Sequence, residues 1–294
     1  MIERRIRTYA EVAHETGSGI LEQVEAQGAR LARRLADIER LVIVASGKGG
    51  VGKSLVAANL AVALAQEGLA VGAADADLNG PSLGRMLGVT GARLEVGEDG
   101  VVPAVGAGGV RVVSMDLLLA SDDAPLRWRE PEQAGFAWQS VLETGALREF
   151  LSDTNWGKLD ALVVDLPPGT DKLQRMLQLV PDPSAVVLVT TPTEVTRFVV
   201  GKSIALVREG WARRLGLVAN MAGHRCEHCD KETSIFDPEP AIGLAEESGV
   251  PLWAQIPFDP AIAAHTDAGR PIVSEAPESE AALAFVELAR RVSE

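Results

Sequence analysis

The sequence predicts an α/β fold in which a parallel sheet is flanked by helices on both faces. Two observations carry that expectation. Short runs rich in Val, Ile, Leu and Ala alternate with longer helical stretches. Each run is nearly continuous in apolar residues, as expected of parallel strands covered on both sides. The first run also passes through a glycine-rich turn directly into a helical stretch, which is the strand–loop–helix order of such folds.

In chain order, residues 1–40 are polar and charged and are predicted to form an N-terminal helical extension. Within it Ile20, Val24, Leu31, Leu35 and Ile38 recur at three-, four- and seven-residue steps, the pattern of an amphipathic helix. Such a helix is expected to dock on the domain that follows, 41–294. The strand-like runs there are LVIVAS (41–46), AVGAAD (70–75), DALVVD (160–165), AVVLVT (185–190), LGLVAN (215–220) and LWAQIP (252–257). Helical stretches are expected over 52–68, 140–153 and 194–210. Residues 91–135 read as an insertion within one domain, with DGVVPA and GVRVVSMDL as short strands. ESEAALAFVELARRVSE closes the chain as a terminal helix.

The 294 residues carry 28 basic and 41 acidic side chains, a net charge of −13. That balance argues against nucleic acid and anionic membrane as partners, since both require a basic face. No apolar run approaches the ~18 residues needed to span a bilayer. The opening MIERRIRTYAEVAHE lacks a secretory apolar region, so a cytoplasmic location is expected. The two cysteines, Cys226 and Cys229, do not form a secreted disulfide framework.

The strongest motif is Gly47-Lys48-Gly49-Gly50-Val51-Gly52-Lys53-Ser54, a match to G-x-x-x-x-G-K-[ST] placed after a strand and before a helix. Glycines let the backbone turn tightly, so that successive N–H groups point into one anion-sized cavity. The positive end of the following helix adds to the attraction. Lys53 is expected to reach the β- and γ-phosphates and the Ser54 hydroxyl to ligate Mg²⁺. Lys48 is a further ammonium in a chain with only six lysines. It is suited to neutralise phosphate charge on a facing subunit, as an arginine finger does.

Two acidic motifs end predicted strands: Asp75-Ala76-Asp77-Leu78-Asn79-Gly80-Pro81-Ser82 and Asp165-Leu166-Pro167-Pro168-Gly169-Thr170. Strand C-termini line the ligand crevice in open α/β sheets. A carboxylate there can hold Mg²⁺ through a water or orient the water that attacks a γ-phosphate.

The loop GKGGVGKS resembles the deviant phosphate loop (deviant Walker A) of the P-loop NTPase superfamily that includes nitrogenase iron protein, MinD and ParA. The resemblance implies ATP sandwiched in a homodimer. It implies Lys48, Lys53 and Asp77 as catalytic residues, with Asp77 the switch I residue that positions the attacking water. Asp165 becomes the Walker B carboxylate, acting on Mg²⁺ through water, and the Gly169 N–H contacts the γ-phosphate. Asp75 is implied as an accessory metal-shell residue and Asn220 as the residue that reads adenine.

Cys226-Glu227-His228-Cys229 follows Asn220 closely. A C-x-x-C can be a redox pair, half of a zinc site or half of a cluster site. Clusters take four thiolates and this chain has two, so a symmetric dimer would complete the set on its two-fold axis. His224 and His228 lie close by and keep zinc open, although both read more readily as loop residues. The runs DADLNGPSLGRMLG, WGKLDALVVDLPPGT, ANMAGHRCEHCDKETSIF and GVPLWAQIPFDPAI narrow the resemblance to the Mrp/ApbC iron–sulfur cluster carrier ATPases. That branch implies a bridging [4Fe–4S] cluster held by Cys226 and Cys229 of two subunits, delivered to client apo-proteins with slow ATP hydrolysis. An ATP-driven electron donor, a positioning ATPase, and a zinc-stapled switch are the other readings. The chain departs from the branch in having Gly169-Thr170-Asp171 with one glycine fewer, Leu55 after Ser54, and Glu130 in a Trp-Arg-Gly-Pro position.

Overall fold

The structure, a computed structural model, describes residues 20–78, 80–118, 136–180, 182–209, 212–225, 229, 231–233 and 239–294. Helix α1 (Ile20–Ala36) leads into β1 (Ile38–Ala45), and α2 (Lys53–Gln66) follows the glycine loop. After β2 (Val71–Asp75) come α3 (Leu83–Met86) and the short strands β3 (Glu95–Gly97), β4 (Gly100–Val102), β5 (Ala104–Val105) and β6 (Arg111–Val113). Next are α4 (Phe136–Asp153), β7 (Leu159–Asp165), α5 (Thr170–Leu179), β8 (Ala185–Thr190), α6 (Glu194–Arg208) and β9 (Leu215–Asn220). The chain ends through β10 (His224–Arg225), β11 (Glu232–Thr233), α7 (Glu239–Ser248), β12 (Leu252–Ile256), α8 (Pro260–Asp267), α9 (Ile272–Glu275) and α10 (Glu280–Ser293).

Eight strands form the main sheet in the order β12-β9-β8-β1-β7-β2-β6-β5. Every pairing is parallel except β5 with β6. Apolar strands alternate between two covered faces, as period-2 side chains require. Val42 and Val44 pack with α2 and α10 on one side. Leu41, Ile43 and Ala45 pack with α1, α4, α5 and α6 on the other. The glycine loop, Asp75 and Asp165 therefore emerge at one edge, the C-terminal ends of the central strands.

One expectation needs correction, and two gain detail. Ile38 belongs to β1 and not to the helix, because Ile38 and Arg40 pair with Leu159 and Ala161 of β7. Those first strand residues are only partly covered, so the continuous apolar run begins later, at Leu41. The insertion also joins the main sheet: β6 runs parallel to β2, and β5 folds back antiparallel to cap that edge. The sheet is thus mostly, not wholly, parallel, and an antiparallel edge strand needs only a tight connection. Residues 1–19, Asn79, Glu130, Cys226 and His228 lie outside the described residues.

Helix α1 docks through Leu31, which is buried beside Phe150 and Leu151 of α4. Gln27 and Arg34 add hydrogen bonds to Glu149 and to the Ser152 carbonyl. Truncating a buried Leu removes transfer free energy and leaves a cavity. Leu31→Ala is expected to cost about 2 kcal/mol or more, read as a lower urea midpoint with an unchanged slope. An unchanged midpoint would show that α1 is not docked in solution.

Candidate nucleotide site

The loop between β1 and α2 takes its shape from its glycines. Gly50 and Gly52 sit at φ 79° and 81°, where a side chain is strained. A Cβ at Gly52 would also overlap the Asn220 amide, and one at Gly47 would run into Val199 of α6. The loop is thus wedged between β9 and α6. Ser46 ties it internally by donating from Oγ to the Lys48 carbonyl at 3.0 Å. Lys48 itself is exposed.

Lys53 opens α2 and is only 7% exposed. Its ammonium is ion-paired and hydrogen-bonded to Asp165 Oδ1, and it lies 3.3 Å from Ser54 Oγ. Asp165 is fully buried, and its other oxygen, Oδ2, has no hydrogen-bond partner among the described residues. Asp75 and Asp165 are adjacent in parallel register at the ends of β2 and β7. Asp75 is also fully buried but differently served: it accepts from the N–H groups of Asp77 (3.1 Å), Ser82 (2.8 Å) and Leu83 (2.9 Å) and from Ser114 Oγ (3.3 Å). Asp77 is half-buried, and its Oδ1 accepts from the Gly80 N–H at 3.1 Å. Gly169, at φ 122°, donates its N–H to the Ser46 carbonyl at 2.9 Å. Asn220 Nδ2 donates to the Val51 carbonyl at 2.9 Å.

Residues named from the sequence over Gly47–Ser54, with Asp75, Asp77, Asp165, Gly169 and Asn220, therefore gather at one end of the sheet. Of the two cysteines, only Cys229 is among the described residues. The Cys226–Cys229 segment falls in the connection between β10 and β11, which pair antiparallel. Cys229 there is exposed with a free thiol. His224 is engaged by the Phe258 carbonyl at 3.2 Å and stacks edge-on against that ring. Sequence reasoning missed Ser46 and Ser114. The available signal was a hydroxyl closing an apolar strand run, as in LVIVAS and RVVS.

The family model for NUBPL iron-transfer P-loop NTPases (ParA) matches residues 37–293. The chain belongs to this NUBPL iron-transfer P-loop NTPase family. The resemblance read from its motifs agrees. A relative from Saccharolobus solfataricus, the iron-sulfur cluster carrier protein, is 40% identical over 272 residues, covering 92% of this chain and 88% of the relative. The human cytosolic Fe-S cluster assembly factor NUBP2 is 35% identical over 263 residues, covering 88% and 93%. The nucleotide-binding protein of Archaeoglobus fulgidus, solved in complex with ADP, superposes with a TM-score of 0.72 at 34% identity, covering 86% of this chain and 94% of that one. Among the described residues, no helix of this NTPase is long and apolar enough to cross a membrane.

Electrostatics separate the two buried carboxylates of this P-loop NTPase. Burial raises Asp165, against the opposing pull of the Lys53 ammonium. Burial, then the nearby charge of Asp165, lift Asp75 to about 7, while its three backbone N–H bonds work the other way. An unfolded Asp titrates near ~3.9. The folded protein therefore holds a proton on Asp75 where the unfolded chain has released it. That contribution to stability is complete below about pH 4 and is lost as the pH rises through 7. Carboxyl ¹³C NMR of the protein without added nucleotide should show one aspartate titrating near 7 that disappears in Asp75→Asn. Finding every aspartate midpoint below about 5 would contradict this.

Proposed function

We propose that the chain is an ATP-dependent iron–sulfur cluster carrier that works as a homodimer in the cytoplasm and delivers its cluster to client apo-proteins. The observation that carries this reading is a short covalent path. Asn220 grips the phosphate loop, and six residues later the chain reaches the Cys226–Cys229 connection. The names of the relatives, an iron-sulfur cluster carrier and a cytosolic Fe-S assembly factor, support the same cargo.

In this reading the loop N–H groups of Gly47–Ser54 bind the phosphates. Lys53 exchanges Asp165 Oδ1 for the β- and γ-phosphate oxygens. The unpartnered Asp165 Oδ2 and the neighbouring Ser54 hydroxyl form an all-oxygen donor set that suits Mg²⁺, with Ser54 as direct ligand and Asp165 acting through water. When bound, that ion neutralises phosphate charge. Asp77 orients the water that attacks the γ-phosphorus, giving ADP and phosphate. The Gly169 N–H leaves the Ser46 carbonyl to donate to the γ-phosphate, so the 165–170 turn senses it. Lys48, exposed on the loop, reaches the nucleotide of the facing subunit. Asn220 keeps one N–H on Val51 and retains its second N–H and its carbonyl for adenine N7 and N6. The cluster is cargo: Cys226 and Cys229 from each subunit supply the four thiolates of a bridging [4Fe–4S] unit.

Anaerobic reconstitution of wild type and Cys226→Ser tests the reading. About four iron and four sulfide per wild-type dimer are expected, lost in the variant while ATP binding is retained. Zinc at one per dimer with no uptake of iron or sulfide would overturn it.

A further inference from the structure

Two fully buried carboxylates stand side by side in register, and their partners differ in kind. Asp165 spends one oxygen on Lys53 and leaves the other free. Asp75 spends both on neutral donors of its own neighbourhood: Oδ1 takes the Asp77 N–H, and Oδ2 takes the N–H groups of Ser82 and Leu83 and the Ser114 hydroxyl. Each carboxylate oxygen offers about two lone-pair positions, so the three donors saturate Oδ2, while Oδ1 accepts the Asp77 N–H alone.

The positions of those donors matter more than their number. Asp77 is the second residue out of β2, while Ser82 and Leu83 are the last loop residue and the first of α3. The 76–82 loop therefore leaves Asp75 and returns to it. The third anchor is the Ala76 N–H, which donates to the Asp165 carbonyl at 2.8 Å. Asp77 sits inside the span so closed.

We infer that Asp75 is a positioning residue for ATP hydrolysis: its carboxylate clamps both ends of the 76–82 loop, holds Asp77 at the γ-phosphate, and is not part of the metal shell. This rests on the proposed role of Asp77 in orienting water. The choice of substitution follows from the donors. An Asn at 75 keeps one carbonyl acceptor and places an NH₂ group where the other oxygen accepted an N–H. If its carbonyl serves Ser82 and Leu83, the Asp77 end faces donor against donor and is released.

The test uses the full chain as wild type, Asp75→Asn and Ser114→Ala at about pH 8.5, where Asp75 is ionised, with hydrogen exchange and steady-state ATPase kinetics at varied Mg²⁺. In Asp75→Asn, exchange should quicken over 76–83 and not in the phosphate loop. kcat should fall by about 10²-fold, the scale of a 1 Å misplacement, with KM for ATP and half-saturating Mg²⁺ unchanged. Ser114→Ala removes one of the four donors and should lower kcat by less than about tenfold, with a smaller rise in exchange. Unchanged exchange over 76–83 in Asp75→Asn, or a raised Mg²⁺ requirement at unchanged kcat, would overturn the inference. Should Asp75→Asn fail to fold, Ser114→Ala decides, and unchanged exchange and kcat there would overturn it. A wild type without ATPase activity would refute the role of Asp77, while the exchange data would still decide whether Asp75 clamps the loop.

Discussion

Lys53 and Asp165 meet as opposite charges withdrawn from water, and the rest of the site is arranged around them. Burying such a pair costs several kcal/mol per ion, which mutual attraction offsets only when geometry and further hydrogen bonds are good. Here the set is incomplete, since Asp165 Oδ2 has no hydrogen-bond partner among the described residues. A buried, unpaired carboxylate oxygen is costly, so stability alone gives no reason for it. On the proposed function, this is the oxygen that serves Mg²⁺ through water. The pair also explains why the sheet must be mostly parallel. Only parallel strands deliver the ends of β1, β2 and β7 to the same edge, where Lys53 can face Asp165 with Asp75 alongside.

Around that centre the loops are fastened to one another as well as to their own strands. Gly169 donates to the Ser46 carbonyl, Ala76 to the Asp165 carbonyl, and Asn220 to the Val51 carbonyl. Each bond joins a segment after a different strand. A phosphate that draws the Gly169 N–H away breaks the bond to Ser46, whose hydroxyl in turn shapes the loop at Lys48. On the proposed function, response to a nucleotide is then a change of hydrogen-bond partners among groups already within reach, which needs only small displacements.

Much of this was legible in the sequence because it is local. AVVLVT and LGLVAN coincide with β8 and β9 end to end, since a buried strand shows itself as an unbroken apolar run. The glycine loop was legible for the same reason: its conformation is written into consecutive residues. What escaped depends on partners distant in the chain. Ile38–Arg40 become strand through β7, over a hundred residues away. Ser114 matters through Asp75, 39 positions earlier, and the bond that ties the already named Asn220 to Val51 spans 169 positions. No periodicity encodes such pairings. The donors to Asp75 were hidden too: the resemblance implied an accessory metal-shell residue, and only the fold brings Ser82, Leu83 and Ser114 to its carboxylate.

The segment between Asn220 and the cysteine ribbon is stiff. Met221 holds φ 60°, a left-handed conformation that costs a side-chain-bearing residue about 1 kcal/mol or more. Ala222 donates to the Ile256 carbonyl at 3.0 Å, and His224 is held by the Phe258 carbonyl. A flexible linker would absorb any shift at Asn220. On the proposed function, a kinked segment fastened to the end of β12 through Ala222 and His224 carries the shift as far as β10. On that reading, strain at Met221 is then what couples an adenine-reading amide to β10, the strand that the cargo-holding thiol pair follows in sequence.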